Sequence, residues 1–308
     1  MRINSLRMTM VGAAVLLMGL LSGCAINYTY NNSDKYMAGD RVVREQIDSI
    51  DINYLSGDVV FSTDTSNEIS IKESSNKELD DDRKVHTWVD GGTLYVKYCA
   101  SGSNLDFTHV EKKLEITVPK ELKLSMLKSG MSSGSFMASG VNADAVDIDA
   151  SSGSIDLNCE ARNIELSVSS GDVHLKQNGS SDSITLDASS GRIMADIEKS
   201  ANLGVSVSSG SSIINAIAID DVRYDASSGD MSLSMAEAPK NSSFEASSGK
   251  MGIVLPEDAD LSVDVNTSSG DFDYELPFEK TGESYKCGTG VNKMKISTSS
   301  GDVSIKKR

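Results

Sequence analysis

Apolar and polar residues alternate along most of the chain, and one tripeptide interrupts the alternation at regular intervals. Ser-Ser-Gly occurs nine times, and from the first copy to the eighth successive copies lie 18 to 21 residues apart. A fixed spacing of this length is typical of repeat architectures. We therefore predict a repeat protein built from β-strands. The glycines of the nine copies are Gly134, Gly153, Gly171, Gly191, Gly210, Gly229, Gly249, Gly270 and Gly301.

Alignment on these glycines separates positions that face a core from positions that face water. The residues five before and two after the glycine are mostly apolar, such as Leu186 and Ile193 around Gly191. Their neighbours Asp187 and Arg192 stand in columns that are mostly polar. Each repeat is therefore predicted to hold two strands of about five residues with the same face inward. Glycine would supply the positive φ of the corner between them.

An antiparallel meander and a β-solenoid both fit this unit. In a meander Ser-Ser-Gly would be a hairpin tip, and nothing would require the tips to be identical. In a solenoid the corners lie above one another about 4.8 Å apart, so identical small polar residues can form ladders. We predict an all-β, single-stranded β-solenoid built from Ser-Ser-Gly repeats of about 19 residues.

The residue that follows each glycine is polar and varies from repeat to repeat. No two acids are neighbours in this column over six successive repeats, as expected if like charges avoid stacking. The six residues are Asp172, Arg192, Ser211, Asp230, Lys250 and Asp271. If the solenoid binds a partner, we expect its discriminating residues here, at Asp172, Arg192, Asp230 and Lys250.

The N-terminal segment has the features of an export signal. Arg2 and Arg7 precede an apolar run from Met8 to Leu21, which is too short to span a bilayer with ease. The following Leu21-Ser22-Gly23-Cys24 resembles the lipobox of bacterial lipoproteins, in which the cysteine is lipidated and becomes the mature N-terminus. The alternative is an ordinary secretory signal with a chance cysteine. We expect a protein anchored through Cys24 on the extracytoplasmic side of a bacterial membrane.

The chain divides into four predicted regions. Residues 1–23 are the signal peptide, and residues 24–45, which are polar and carry no sustained periodicity, form a flexible tether. Residues 46–120 form an N-terminal β cap with degenerate repeats, because a solenoid must hide its first open edge. Residues 121–308 form the solenoid, with an excursion or cap element at 277–293 where the last two glycines stand farther apart.

Charge and composition argue against several classes of protein. The formal net charge is −16, so nucleic acid is excluded as a partner. Besides Cys24 there are three cysteines, which cannot all pair within one chain, and one disulfide is left open. The three histidines are scattered, and no cysteine or histidine spacing is typical of a metal site. We expect no cofactor. The residues concerned are Cys99, Cys159, Cys287, His86, His109 and His174.

Outward acids recur along the repeats and invite comparison with β-helical enzymes that cut acidic polysaccharides. These acids follow the repeat instead of gathering in one coil, basic partners are few, and aromatic residues make up 5% of the chain. The repeated Ser-Ser-Gly-Asp also lacks the closely spaced carboxylates of calcium loops. We expect neither an enzyme nor a metal site. The acids are Asp147, Asp149, Asp187, Asp225 and Glu245.

The order of these motifs resembles a known family. The strand-Ser-Gly-Asp-strand units, Val118-Pro119, and an ending of Gly288-Thr-Gly290 followed by Met294 to Val303 resemble the bacterial putative-adhesin family of β-strand-repeat domains, over residues 47–308. The resemblance implies an envelope protein with a β-repeat fold and no established activity. We predict a non-enzymatic adhesin-like or scaffold protein that binds a macromolecule, an envelope protein or a glycan, along the solenoid. The alternative is an accessory protein of an envelope-stress or signalling system that acts through a membrane partner.

Overall fold

The computed structural model describes residues 26–105, 110–282 and 284–308. The signal peptide, Cys24 and His109 lie outside the described residues. The described chain is built from β-strands, with one-turn 3-10 helices at Ser33–Lys35 and Asp81–Arg83. The strands of the N-terminal part are β1 (Ile26–Tyr28), β2 (Met37–Ala38), β3 (Arg41–Val43), β4 (Ser49–Ser56), β5 (Asp58–Asp64), β6 (Ile69–Ser75), β7 (His86–Asp90), β8 (Thr93–Lys97), β9 (Ser103–Leu105) and β10 (Lys112–Pro119). Those that follow are β11 (Leu124–Met235), β12 (Asn241–Ser248), β13 (Met251–Leu255), β14 (Leu261–Ser269), β15 (Phe272–Tyr274), β16 (Glu279–Thr281), β17 (Ser284–Cys287), β18 (Asn292–Ser300) and β19 (Val303–Lys307).

The repeats stack as successive levels joined by parallel strand pairing. β11 is extended and hydrogen-bonded throughout and contains six Ser-Ser-Gly corners. Strands that precede a corner pair with their equivalents in the next level, as β4 pairs with residues 126–133 of β11, and we call this surface the leading face. Strands that follow a corner form the trailing face, as β13 pairs with residues 231–234. The fold is therefore solenoid-like, as the repeated pattern predicts.

The corner glycines stack backbone on backbone. A Cβ placed on any of the nine would lie 1.6 to 2.7 Å from a carbonyl oxygen of the glycine beneath it. Seven of the nine also have φ between +112° and +148°, and Gly229 and Gly301 do not. Close backbone approach is therefore what all nine corners share, and positive φ accompanies it at most of them.

The glycine contacts also give the order of the levels. The carbonyl of Lys112 lies against Gly57, which lies against Gly134, and the stack then follows the sequence to Gly249. Gly301 comes next, and Gly270 lies on Gly301. These contacts define eleven levels, the Lys112 level and ten glycine levels. At one strand spacing per level the stack is about 48 Å long.

The order of levels departs from the order of the sequence at both ends. At the N-terminal end β4 and β5 form the second level, and the later strands β8 and β10 form the first. At the C-terminal end β18 and β19 lie between the β12–β13 level and the β14–β15 level. The expected separation of acids after the glycines is therefore wrong at the last two levels. Asp302 and Asp271 are neighbours there, and the Asp271 amide donates to Asp302 Oδ1 at 3.3 Å.

Antiparallel strands close the two ends. β7 pairs with β8 and β6 with β10 at the N-terminal end, and β17 pairs with β14 at the C-terminal end. Residues 277–293 carry β16 and β17 and return the chain from the last level to the one beneath it. Antiparallel pairing interrupts the parallel stack, so these strands limit its growth.

The core lies between the two faces and is continuous from end to end. Each inward column is apolar at nearly every level, as in the run from Tyr224 through Phe244 and Ile296 to Val265. One level differs on the trailing face, where Ser212 is buried and its hydroxyl lies 3.4 Å from the hydroxyl of Tyr224. A polar residue at that inward position is satisfied by a partner from the next repeat.

A buried ion pair holds the N-terminal end together. Lys112 Nζ lies 2.7 Å from Glu73 Oε1, and the two side chains are 1% and 4% exposed. The ammonium also donates to the backbone carbonyls of Tyr98 and Arg83, at 2.6 and 2.7 Å. Tyr54 donates to Glu73 at 2.8 Å. Four segments of the cap therefore meet at one fully bonded ammonium group.

The flexible tether expected for residues 24–45 is wrong for residues 26–45. β1 pairs with β9, β2 with β7 and β3 with β6. Tyr28 donates to Asn53 Oδ1 at 3.0 Å, and Tyr30 donates to the Cys99 carbonyl at 3.0 Å. The polar composition concealed these contacts, because the tyrosines that bind the segment to the cap are spaced without a regular period.

Candidate interaction surface

The leading face presents outward side chains in regular columns, because alternate residues of each strand point away from the core. On three successive levels these columns carry Asp147, Asp149, Glu165 and Asp187. Burial raises the pKa of Asp149 and of Glu165, and neighbouring carboxylates add to both shifts. Burial also raises the pKa of Asp187. Lys128 forms an ion pair with Asp147 at the edge of this group.

The acids do not form a metal centre. Among residues 26–105, 110–282 and 284–308, no cluster of three or more histidine, cysteine or acidic side chains is placed to hold a metal ion. The carboxylates spread along the stack instead of converging on one point, because Asp147 and Asp149 share one level while Glu165 and Asp187 lie on the next two. Their arrangement offers a charged surface, and it does not offer the six to eight oxygens that calcium requires.

A shallow groove crosses the leading face beyond the acids. Its volume is about 580 Å³, within the range of ligand-binding clefts. Gly204 leaves its floor open, since a Cβ there would meet no atom within 4 Å. The charged residues that line the groove are Asp221, Arg223, Asp264, Lys293 and Lys295. The groove therefore carries both signs of charge on a lining that also includes the apolar residues Leu203, Val222 and Met294.

Some of the polar groups in the groove already have partners. Asn241 donates to Asp221 at 2.7 Å, and Lys293 donates to the Gly290 carbonyl at 2.7 Å. Arg223 binds Asp225 through two hydrogen bonds, of 2.6 and 3.2 Å. These contacts preorganise the lining, so a partner would meet side chains that are already oriented.

The residues after the corner glycines contact one another across levels. The Arg192 amide donates to Asp172 Oδ1 at 3.0 Å, and the Lys250 amide donates to Asp230 Oδ1 at 2.9 Å. The structure thus places the four candidate partner residues as two adjacent pairs, with the Ser211 level between them. Each aspartate satisfies a backbone amide at a corner, which gives it a structural role that the sequence alone did not reveal.

The serines beside the corner glycines form part of an exposed edge. Ser133 donates to Ser56 at 3.2 Å, one level away. In the column of residues that directly follow the glycines, Ser154 donates to Ser135 of the neighbouring level, also at 3.2 Å. The hydroxyls of successive levels are therefore close enough to bond to one another, as expected for a polar ladder in a stacked sheet.

The thiols and histidines of the described residues do not build a reactive site. Cys99, Cys159 and Cys287 are buried and unpaired. Burial raises the pKa of Cys99 to about 11 and that of Cys159 to about 12, which keeps both thiols protonated. His86 is buried in the cap, with Nδ1 2.9 Å from the Lys84 carbonyl. His174 lies on the trailing face, away from the cap that holds His86.

An aromatic row at the N-terminal end escaped the sequence reasoning. The ring centroids of Tyr30 and Tyr36 lie 4.8 Å apart, and Tyr36 lies 5.6 Å from Trp88. Trp88 stacks on Tyr95 at 5.6 Å, and Lys35 Nζ lies 5.0 Å from the Trp88 ring. The alternation in β7 and β8 signals that Trp88 and Tyr95 share a face. Tyr36 comes from a distant segment, and no pattern in the sequence predicts its contact with Trp88.

Across the described parts of the chain, no helix has the length and apolarity needed to cross a membrane.

Comparison with known proteins shows what this chain is similar to. Residues 47–306 match the model of the family described as Toastrack DUF4097. Among curated proteins none matches. A solved structure described as a putative adhesin from Parabacteroides distasonis is 12% identical, with 87% of this chain and 96% of that chain covered and a TM-score of 0.52.

Two further solved structures resemble the chain more weakly. A putative adhesin from Bacteroides fragilis is 11% identical, covering 87% of this chain and 96% of that chain, with a TM-score of 0.41. A putative cell adhesion protein from Clostridium sporogenes is 10% identical, covering 88% and 100%, with a TM-score of 0.31. The likeness to the Parabacteroides distasonis structure, at 12% identity, concerns the fold alone.

Proposed function

Because the chain belongs to the Toastrack DUF4097 family, we propose that it is a non-enzymatic, adhesin-like protein of the bacterial cell envelope. It is anchored through a lipid on Cys24 and binds a macromolecule along the leading face of its solenoid. The related fold from Parabacteroides distasonis, described as a putative adhesin, supports the envelope setting. The lipobox-like Leu21-Ser22-Gly23-Cys24 supports the anchor.

The observation that carries the binding role is the groove across the leading face. Its outward columns come from parallel strands of successive levels, including β12 and β18. Residues from six levels line it, from Thr185 through Gly204, Arg223, Ser243 and Lys295 to Asp264. A surface built in this way repeats along the stack and suits an extended partner better than a compact one. Side chains of both charges and amide groups favour a polar polymer such as an envelope glycan.

The same geometry favours binding over catalysis. The acids of the leading face are spread over successive levels of the stack, and burial keeps the thiols of Cys99 and Cys159 protonated. A catalytic pair would require two titratable groups to converge on one substrate atom. The described side chains instead repeat along an axis, so we assign the protein no reaction.

The anchor is tested by mass spectrometry of protein purified from membranes. We expect the N-terminal peptide to begin at a lipid-modified Cys24, and we expect Cys24→Ser to remove the modification. An unmodified N-terminus in the unsubstituted protein would contradict the anchor, and it would leave the binding role to be judged by itself.

The binding role is tested by filling the groove. Gly204→Gln places a long side chain in open space on the groove floor. Ser234→Gln makes a similar change on the trailing face and serves as its control. We expect the protein to bind purified envelope polysaccharide, with binding lost in the first variant and kept in the second. Equal binding by both variants, or no binding by the unsubstituted protein, would contradict a glycan-binding groove.

A further inference from the structure

We propose that the N-terminal end of the solenoid rests on the bilayer surface and that the stack axis points away from the membrane. The seat consists of β2, β3 and the aromatic row of Tyr30, Tyr36, Trp88 and Tyr95. Its occupant is the headgroup region of a phospholipid bilayer. This inference rests on the proposed lipid anchor and adds an orientation to it.

The first argument is the length of chain between the anchor and the folded body. β1 begins at Ile26, two residues after Cys24. Two extended residues reach at most about 7 Å. Because residues 26–45 are folded onto the cap, the described part of the chain holds no flexible segment that would lift the body away. A lipid on Cys24 therefore holds the N-terminal cap within one headgroup layer of the membrane.

The second argument is the exposed apolar surface at this end. Met37 on β2 is 59% exposed, and Val42 on β3 is 48% exposed. β2 and β3 are the outermost strands of their two faces, since β2 pairs with β7 and β3 pairs with β6. Exposed apolar residues on outermost strands would be a liability in water. At a membrane surface the bilayer would cover Met37 and Val42.

The third argument is the aromatic row itself. Tryptophan and tyrosine concentrate at membrane interfaces, where an apolar ring and a polar tip are both accommodated. Trp88 and Tyr36 are partly exposed, and Lys35 lies over the Trp88 ring at 5.0 Å. A lysine that extends along an aromatic surface can place its ammonium group among the phosphates.

The distribution of charge along the chain disfavours a stack that lies flat on the membrane. Residues 26–48 carry three basic and four acidic side chains, a net charge of −1. Residues 49–308 carry 24 basic and 41 acidic side chains, a net charge of −17. At the seat Arg41 pairs with Glu45 and Arg44 with Glu68, at 2.6 and 2.7 Å. A stack that lay flat would bring most of this negative charge close to an anionic surface, whereas end-on attachment keeps most of it away.

Trp88 is the only tryptophan, so it reports on the seat without labelling. The test uses the full lipidated protein in phosphatidylcholine vesicles whose acyl chains carry bromine near the headgroups. We expect Trp88 emission to shift to the blue and to be quenched, relative to vesicles without bromine. A far-end reporter, Trp88→Phe with Tyr285→Trp, places the indole at the other end of the stack, which is about 48 Å long by strand spacing. We expect no quenching there.

Two matched variants identify the contact. Met37→Glu with Val42→Glu should abolish the quenching of Trp88 while the lipid keeps the protein on the vesicles. Ile213→Glu with Ile217→Glu changes two residues of similar exposure, 42% and 53%, in the middle of the stack. The second pair should leave the quenching unchanged. If the seat does not contact the bilayer, the two pairs of substitutions will have the same effect on the quenching of Trp88.

The outcomes separate the seat from the anchor. Protein that floats with the vesicles but shows an unquenched Trp88 keeps the anchor and overturns the seat. Equal quenching of the near and far reporters means that the solenoid lies flat, which overturns the orientation. Protein that neither floats nor carries lipid contradicts the anchor itself, and the seat falls with it.

Discussion

Gly301 lies directly on Gly249 in the stack, although 52 residues separate them in the chain. A Cβ on Gly301 would lie 1.9 Å from the Gly249 carbonyl oxygen, and one on Gly270 would lie 2.2 Å from the Gly301 carbonyl oxygen. The C-terminal segment is therefore a level inserted between two levels that are formed earlier in the sequence. The last residues of the chain are an internal part of the stack.

Removal of that inserted level should release the end of the solenoid. A chain that ends at Val291 lacks β18 and β19, so β14 and β15 lose the strands that join them to β12 and β13. We expect limited proteolysis to cleave this variant between residues 256 and 291, while residues up to Leu255 stay protected because β13 still pairs with β11. Removal of Arg308 alone should leave the pattern of the full chain. Protection of residues 256–291 in the truncated protein would contradict the insertion.

Gly191→Val should strongly destabilise the stack. Its φ is +148°, and a Cβ would lie 1.7 Å from the Gly171 carbonyl oxygen. Backbone on both levels would have to move, at a cost of about 3 kcal/mol or more in the free energy of unfolding. Gly204→Val is the control, because Gly204 has open space around its Cα. Similar urea midpoints for the two variants would exclude the corner packing described above.

Lys112→Met should destabilise the N-terminal cap. The change leaves the Glu73 carboxylate buried without its partner, which typically costs about 3–5 kcal/mol. Lys113→Met, at the adjacent position, removes only an exposed pair with Glu115 and should cost less than about 1 kcal/mol. The double variant Lys112→Met with Glu73→Leu should recover much of the loss. Chemical denaturation of the four proteins measures these differences, and an unaffected Lys112→Met would contradict the role of the pair.

Asp149→Asn should stabilise the protein at neutral pH. Because burial raises the pKa of Asp149 above 3.8, the folded chain binds more protons than the unfolded chain just above that pH. Its stability therefore falls as the pH rises through this window. With solvent screening the gain at pH 7 should be about 1–2 °C in Tm. The gain should vanish near pH 3, where the carboxyl is protonated in both states.

Asp144→Asn provides a control of opposite sign. Lys123 lowers the pKa of Asp144 through a hydrogen bond, and the two groups lie 2.7 Å apart. Its contribution is present above the unfolded pKa and is lost as the pH falls, so the substitution should lower Tm slightly at pH 7. Thermal scans at pH 3 and pH 7 test both variants. Changes of the same sign would contradict the assigned environments.

The three thiols should not react with thiol reagents in the folded protein. Cys99, Cys159 and Cys287 are buried, and burial raises the pKa of Cys159 to about 12. At pH 8 we expect no reaction with a thiol-specific chromogenic reagent until denaturant is added, when all three react. Rapid labelling of Cys159 in the native state would contradict the packing of the core.

Much of the leading face could be read from the sequence before the structure. Leu186 and Asp187 fall in their inward and outward columns because strand geometry has a period of two. The same reading missed the pairing of Asp172 with the Arg192 amide. That bond depends on which level lies above which, and a single strand carries no such information.

The amino-acid pattern alone specifies the repeated unit: two short strands, a glycine corner, and the alternation of core and solvent positions. These features are local and recur in every copy of the repeat. The order of the levels at the two ends was decided by the tertiary structure. Nearly identical repeats could stack on one another in many orders with similar strand pairing, so the pattern does not choose among them. The order is selected by contacts that occur once in the molecule, namely the Lys112–Glu73 pair at one end and the antiparallel β14–β17 pairing at the other.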